Sequence, residues 1–347
     1  MTARVGLYYD PLFLAHDTLS HIESADRVAS CLALLEDSGL AARLARPNCR
    51  DATVEELSRV HRPAYIERMR RVGAQGPALV LADTIANRGT YAAAVRAAGA
   101  CLAATEAVVR GELDAAFCLT RPPGHHALAA GPMGFCFFNS VALAAAGARA
   151  ALAVGRVAIV DIDVHHGNGT QDAFYEDGAA LYISTHQHPY YPGTGRLQET
   201  GRGAGAGATL NLPLPGGCGD AEYAHVLEAA IGPKLRAFRP GLILVSAGYD
   251  AHFADPIDGS LMRLSCGGYA ALVAGLHDLA SELCGGRIVL ALEGGYDLTA
   301  LPWCVRNSVE ALLGEAPTPD PLGAAPAGSP APDLGELIAS LRGLHGF

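Results

Sequence analysis

The chain has 347 residues, half of them hydrophobic and 17% charged, with a formal net charge of −10. A chain of this size and polarity can bury a large core in one α/β domain, and its acidic balance offers no counterion-releasing surface to nucleic acid. The nine cysteines are odd in number and form no CxxC pair, which argues against a disulfide framework and for reduced thiols in a cytoplasmic protein.

In chain order, Val5–Tyr9 reads as a first strand, followed by helices over Ala25–Asp37, Pro63–Val72 and Thr90–Arg110. Next come strand Ala116–Leu119, helix Ser140–Val154, and strands Val157–Asp161, Leu181–Ser184 and Thr209–Leu212. Helix Ala221–Phe238, strand Leu242–Ser246, helix Gly268–Leu283, strand Ile288–Leu292 and helix Leu298–Leu313 complete the alternation. Several strands are continuous apolar runs, as expected for a sheet buried on both faces. The pattern predicts a three-layer α/β/α fold with a central, mostly parallel sheet, and a single domain over residues 1–347. The stretch 315–332 is rich in Pro, Ala and Gly and reads as a linker, with a terminal helix within 333–347, about Asp333–Leu341. The N-terminus lacks the charged and apolar regions of a secretion signal. Alanine-rich runs such as Val141–Val154 are too short to span a bilayer, so no membrane partner is expected.

Ligands of open parallel sheets bind beyond the carboxyl ends of the strands. Four strands there run into polar clusters: Arg121–His126, Asp161–Gly169, Ser246–Asp250 and Leu292–Asp297. Asp163 and His165 alternate in extended chain and can reach one ion. Asp250, after another buried strand, supplies a third ligand. Two carboxylates and an imidazole leave an open position, as catalytic zinc requires, and mixed O/N ligation also suits Fe(II) or Mn(II). Taken alone, Asp-x-His more often caps a turn; four clusters at strand ends reverse that preference. His125 and His126 sit on a loop stiffened by Pro122 and Pro123, suited to proton transfer near neutral pH. Tyr296 follows two glycines and can donate its phenol to an oxyanion. There is no G-x-S-x-G, H-E-x-x-H or P-loop pattern.

Together, Arg121–His126, Gly134–Asn139, Asp161–Gln171, Tyr191–Gly195, Ser246–Asp250 and Leu292–Tyr296 resemble the histone deacetylase family, particularly its class II and bacterial amidohydrolase branch. The opening Tyr9–Glu23 is also similar, with Ile22 where a proline is usual. The resemblance implies an arginase/deacetylase-like fold and zinc-dependent hydrolysis of acylated lysine. It implies zinc on Asp163, His165 and Asp250, His126 as general base then acid, His125 as its electrostatic partner, and Tyr296 as transition-state donor. Asp161 would orient His125, and Asn168 would support His126. Phe135 and Tyr191 would wall an acyl-lysine tunnel, Tyr191 standing where phenylalanine is usual. Gly134 would offer its carbonyl to the substrate amide, and Asp83 would grip a peptide at the rim. A structural potassium ion would use Asp161, Asp163, His165 and Ser184.

Three rival readings fit parts of the same pattern. Polyamine-selective relatives carry a glutamate where this chain has Ile257, which tilts the reading from acetylpolyamines towards acyl-lysine. An arginase-like ureohydrolase would need more clustered carboxylates for its second metal ion. A non-catalytic acyl-ligand binder would not need the full set of His126, Tyr296 and three ligands.

Overall fold

The computed structural model describes residues 3–75, 78–81, 83–328 and 331–347. Its elements run β1 (Val5–Tyr8), α1 (Asp26–Asp37), α2 (Val54–Leu57), α3 (Pro63–Gln75), β2 (Ala78–Leu81), β3 (Thr84–Ala86), α4 (Thr90–Val109) and β4 (Ala115–Cys118). Then follow α5 (Ser140–Ala151), β5 (Val157–Asp161), α6 (Asn168–Phe174), β6 (Ala180–Gln187), β7 (Thr209–Leu214), α7 (Asp220–Val226) and α8 (Gly232–Phe238). The chain closes with β8 (Leu242–Ala247), α9 (Cys266–Cys284), β9 (Ile288–Leu292), α10 (Ala300–Leu312) and α11 (Gly335–His345).

Seven strands form one sheet in the order β1-β4-β9-β8-β5-β6-β7, with every neighbouring pair parallel. Alternation along the strands explains the layers. On β5, Val157 and Ile159 enter a core packed by α4 and α5, while Ala158 and Val160 enter the opposite core with α1, α9 and α10. Both faces are buried, so strands such as β4 and β9 are continuous apolar runs, while β6 and β7 bury Ser184, His186, Thr209 and Asn211 on one face. Helix α4 is long and apolar enough to cross a membrane by length and composition, and most of it is buried as part of this layer. Helix α9 starts where Ser265 Oγ accepts the Gly268 N–H at 3.0 Å and stops at Gly285, φ +66°.

Several details differ from the sequence reading. The strand expected at Leu181–Ser184 runs on to Gln187 because its far end pairs with Leu214 of β7. The single helix expected over Ala221–Phe238 is divided by a π-helical turn, Leu227–Ile231. Pro233 explains this: it has no N–H to give back along the helix. The hairpin β2–β3 and the short α6 were not anticipated. The terminal helix starts at Gly335, after Asp333 Oδ1 takes the Gly335 N–H at 2.8 Å. The expected linker 315–332 holds no helix or strand among its described residues, and 329 and 330 lie outside them.

Strands β5 and β8 are neighbours, yet the chain leaves β5 through α6 towards β6 and leaves β8 through α9 towards β9. Phe174 of α6 packs in one core and α9 in the other, so the connections diverge to opposite faces. Such a switch point opens a crevice at the carboxyl ends of the strands.

Candidate active site

Beyond β5 the chain stays extended. Ile162 and Val164 are buried in the core, and Asp163 and His165 alternate to the other side. Asp163 Oδ1 accepts the His165 N–H and its Oδ2 the Gly294 N–H, both at 2.9 Å. Across the switch point, Asp250 Oδ1 accepts the Val164 N–H at 2.9 Å. Its Oδ2 is buried with no hydrogen-bond partner among the described residues. His165 Nδ1 lies 3.0 Å from Asp163 Oδ1 and 3.2 Å from Asp250 Oδ2, the second a contact of charge without hydrogen-bond alignment. One ligand atom from each of the three residues falls within 4.8 Å of the others. An orphaned carboxylate oxygen beside a second carboxylate and an imidazole is the donor set of a divalent cation. Gly294 keeps that space open, since a Cβ there would lie 2.1 Å from Asp250 Oδ2 and 2.6 Å from Asp163 Oδ2.

The histidine pair comes from the loop after β4. His125 Nδ1 meets Asp161 Oδ2 at 3.1 Å, and that oxygen also accepts the Tyr182 hydroxyl at 3.0 Å. His126 Nδ1 meets Asn168 Oδ1 at 2.7 Å, and the two imidazole rings are 4.0 Å apart. Burial lowers both imidazole pKa values. For His125 the carboxylates of Asp163 and Asp161 outweigh burial and raise it well above the ordinary value. For His126, the charges of His125 and His165 deepen the lowering. Within the pair, the surroundings therefore favour the protonated ring at His125 and the neutral ring at His126. Glu293 fixes the loop by accepting the N–H groups of Gly124 at 2.6 Å and His125 at 3.1 Å, and the Ser246 hydroxyl at 3.1 Å. Burial pushes its carboxyl up to about 7. Gly134 (φ +52°) passes so close that a Cβ would lie 2.3 Å from His126 Cδ2.

Tyr296 completes the buried end. Its N–H donates to Asp255 Oδ2 at 2.6 Å, and the Arg27 guanidinium lies 4.7 Å from its ring centroid. Burial raises its phenol well above the ordinary value, so it stays protonated. A cavity of about 390 Å³ leads outward between Phe135, Tyr190, Tyr191 and Ile257, with Asp83 and Asp258 among the residues lining it. His165 stacks on Tyr190 at 4.9 Å and 16°, while Tyr191 meets His126 edge-on at 5.3 Å. Asp83 occupies the turn between β2 and β3, and Ser184 pairs with Asp161 across β5 and β6.

A profile of the histone deacetylase domain matches residues 21–312. The chain belongs to the histone deacetylase family. It is 43% identical over 319 residues to the "Histone deacetylase 14, chloroplastic" of Arabidopsis thaliana, covering 87% of this chain and 75% of that protein. It is 38% identical over 334 residues to the "Histone deacetylase-like amidohydrolase" of Pseudomonas aeruginosa, covering 90% and 87% respectively. A solved crystal structure, that of the HDA15 HD domain, superposes with a TM-score of 0.89 at 33% identity, covering 99% of this chain and 95% of that one. The chain is therefore a deacetylase, a hydrolase acting on amides, and the reading as a passive acyl binder falls.

The residues anticipated for this deacetylase's site lie in or against this crevice, Ser184 behind it as the sheet neighbour of Asp161, and the structure adds others. Glu293, Asp255 and Tyr190 support His125, Tyr296 and His165. Behind them Glu23 is shared by Arg121 Nε at 2.6 Å and Arg27 at 3.1 Å, all three fully buried. Arg27 also donates to the carbonyls of Gly295 at 2.6 Å and Glu293 at 2.5 Å, bracing the Tyr296 loop. One signal was available: Arg27 lies one turn before Cys31 on the buried face of α1. A charge on an apolar stripe calls for a buried partner.

Proposed function

We propose that this deacetylase removes acetyl or related acyl groups from acylated lysine side chains, with a zinc ion held by Asp163, His165 and Asp250. The observation that carries this reading is the convergence of those three donors, one with an unpaired buried oxygen, beside the histidine pair and Tyr296. Such an ion polarises the acyl carbonyl and acidifies water. The protein's own groups do the rest. Asn168 Oδ1 holds the proton on His126 Nδ1, leaving Nε2 a bare base for the water proton. His125, held by Asp161, presents positive charge to the developing oxyanion. The Tyr296 phenol, kept neutral by burial, donates to the same oxyanion. His126 then gives its proton to the departing amine. Phe135 and Tyr191 hold the aliphatic chain, the Gly134 carbonyl accepts the amide N–H, and Asp83 accepts backbone N–H groups of a peptide.

Potassium is proposed at Asp161, Asp163, His165 and Ser184; the adjacency of Asp161 and Ser184 in the sheet supports it. A reducing compartment is proposed too. Nine free thiols fit the cytoplasm, or a chloroplast such as the Arabidopsis relative's name gives. A polyamine substrate is the second reading, favoured by Asp83 and Asp258 on the cavity wall. Zinc-reconstituted protein should cleave an acetyl-lysine peptide with higher kcat/KM than acetylspermidine. The reverse ranking would replace lysine by polyamine, and no cleavage of either would sink the reading.

A further inference from the structure

A second cluster of ligating side chains takes no part in the reaction above. His252, Cys266 and Cys304 are fully buried and bring one imidazole nitrogen and two sulfurs within 4.8 Å of one another. His252 lies in the loop after β8, Cys266 opens α9, and Cys304 lies on α10. Such a trio could hold a soft metal ion or act as a thiol pair. The hydrogen bonding decides between them. His252 Nδ1 accepts the Ala254 N–H at 3.1 Å, so that nitrogen is bare and the neutral ring carries its proton on Nε2. Nε2 faces Cys266 Sγ at 3.6 Å. A protonated nitrogen cannot ligate a metal, but it can donate to sulfur.

The Cys304 thiol also donates to Cys266 Sγ, at 3.5 Å. Cys266 thus meets two donors in the first turn of a 19-residue helix, where unpaired N–H groups favour an anion. Its contact with the Ala300 carbonyl, at 3.8 Å, is long. The Cys304 hydrogen bond, with help from His252, holds the Cys266 thiol down to about 7 against burial. Burial keeps the Cys304 thiol high. One sulfur is set to be a nucleophile and the other a neutral partner in contact with it.

We propose that Cys266 and Cys304 form a redox modification site, a dithiol that hydroperoxides convert to an intramolecular disulfide. The Cys266 thiolate attacks the peroxide O–O bond, giving a sulfenic acid and hydroxide, which takes up a proton. The Cys304 sulfur then attacks the sulfenic sulfur, forms the S–S bond, and loses its proton as water departs. The two sulfurs lose two electrons, and hydrogen peroxide becomes two waters. Such bonds in reducing compartments are transient and sensory. The disulfide removes the acceptor of His252 Nε2–H, two residues after Asp250, and leaves a buried donor unpaired. The same loop carries Asp255, which holds the Tyr296 N–H. The oxidised enzyme is therefore slower.

The test is peptide mapping of the wild-type, zinc-loaded protein after stoichiometric hydrogen peroxide, alkylated under denaturing, non-reducing conditions. One cross-linked species joining Cys266 to Cys304, lighter by two hydrogens, should appear before the half-buried Cys49 is oxidised. Activity should fall several-fold in step with it, and dithiothreitol should reverse both. Cys304→Ala should stop at a sulfenic acid on Cys266, trapped by dimedone. Full alkylation of both thiols after Cys49 has been consumed would overturn the proposal, whether or not the variant folds.

Discussion

Replacing Gly294 by alanine isolates the metal cradle from every other feature of the fold. The backbone at this residue does not lie in the left-handed region, unlike Gly295 at φ +109°, so alanine brings no conformational strain of its own. Its Cβ would meet Asp250 Oδ2 at 2.1 Å and Asp163 Oδ2 at 2.6 Å, where real contacts stay beyond 3.0 Å. Asp250 must retreat by roughly 1 Å, and a displacement of that size near reacting atoms costs about 10²-fold in rate, or ~2.7 kcal/mol. Zinc affinity, measured by chelator competition, should fall together with kcat/KM, and the overpacking should cost the metal-free protein about 1–3 kcal/mol in urea unfolding. Gly295→Ala, with its positive φ, should lower stability without crowding the two aspartates. If Gly294→Ala bound zinc with wild-type affinity and kept full activity, Asp163 and Asp250 would not share an ion beneath it.

Tyr296→Phe keeps the ring against Phe135, at 6.1 Å and 88°, and removes only the donor. It should lower kcat by about 10²–10³ with metal content unchanged in elemental analysis. Asn168→Asp places a carboxylate against His126 Nδ1 and should raise that imidazole. The acid limb of the kcat/KM profile should then move to higher pH by about 1–3 units. Glu23→Gln strips Arg27 and Arg121 of their shared carboxylate and should cost roughly 3–5 kcal/mol in urea unfolding at neutral pH. Burial alone would raise Glu23, but Arg121, His16 and Arg27 outweigh it and hold it below 4.5. Its stabilisation is therefore present above pH 4.5 and lost as pH falls through the folded value, so the variant should show a shallower acid limb of stability.

The central parallel strands were legible because burial on both faces favours continuous apolar runs, as Val157–Val160 illustrate. The pairing of Asp163 with His165 was legible for the converse reason: once the strand leaves the sheet, every second residue can turn to the crevice. Asp250 joined them only through the strand-end rule. The Glu23–Arg121 pair spans 98 residues and obeys no period, so nothing local announces it. The β2–β3 hairpin was missed because it does not read as a buried strand: Leu79 and Leu81 are exposed. Asp83, in its turn, was reached by resemblance alone. Glu293 sat in full view beside Gly294, but its clamp on Gly124 and His125 depends on β9 lying next to β4.

The buried charges at this site are not balanced by side chains, and that makes metal removal a sharp test. Asp161, Asp163 and Asp250 are fully buried, and among the described residues their ion-pair partners are only the imidazoles of His125 and His165. Without a divalent ion, His165 must carry a proton to separate Asp163 from Asp250. Burial lowers its pKa, but its hydrogen bond to Asp163 and the charge of Asp250 raise it from 6.5 to about 9. A histidine raised on folding contributes stability below pH 6.5 that is lost as pH rises through the folded value, on the order of 3 kcal/mol here. A zinc-bound imidazole has no such proton, and metal binding strengthens as its ligands deprotonate. Between pH 6.5 and 9 the Tm of chelator-stripped protein should therefore fall, while that of zinc-reconstituted protein holds or rises. Parallel curves for the two would mean that Asp163, His165 and Asp250 do not hold the ion together.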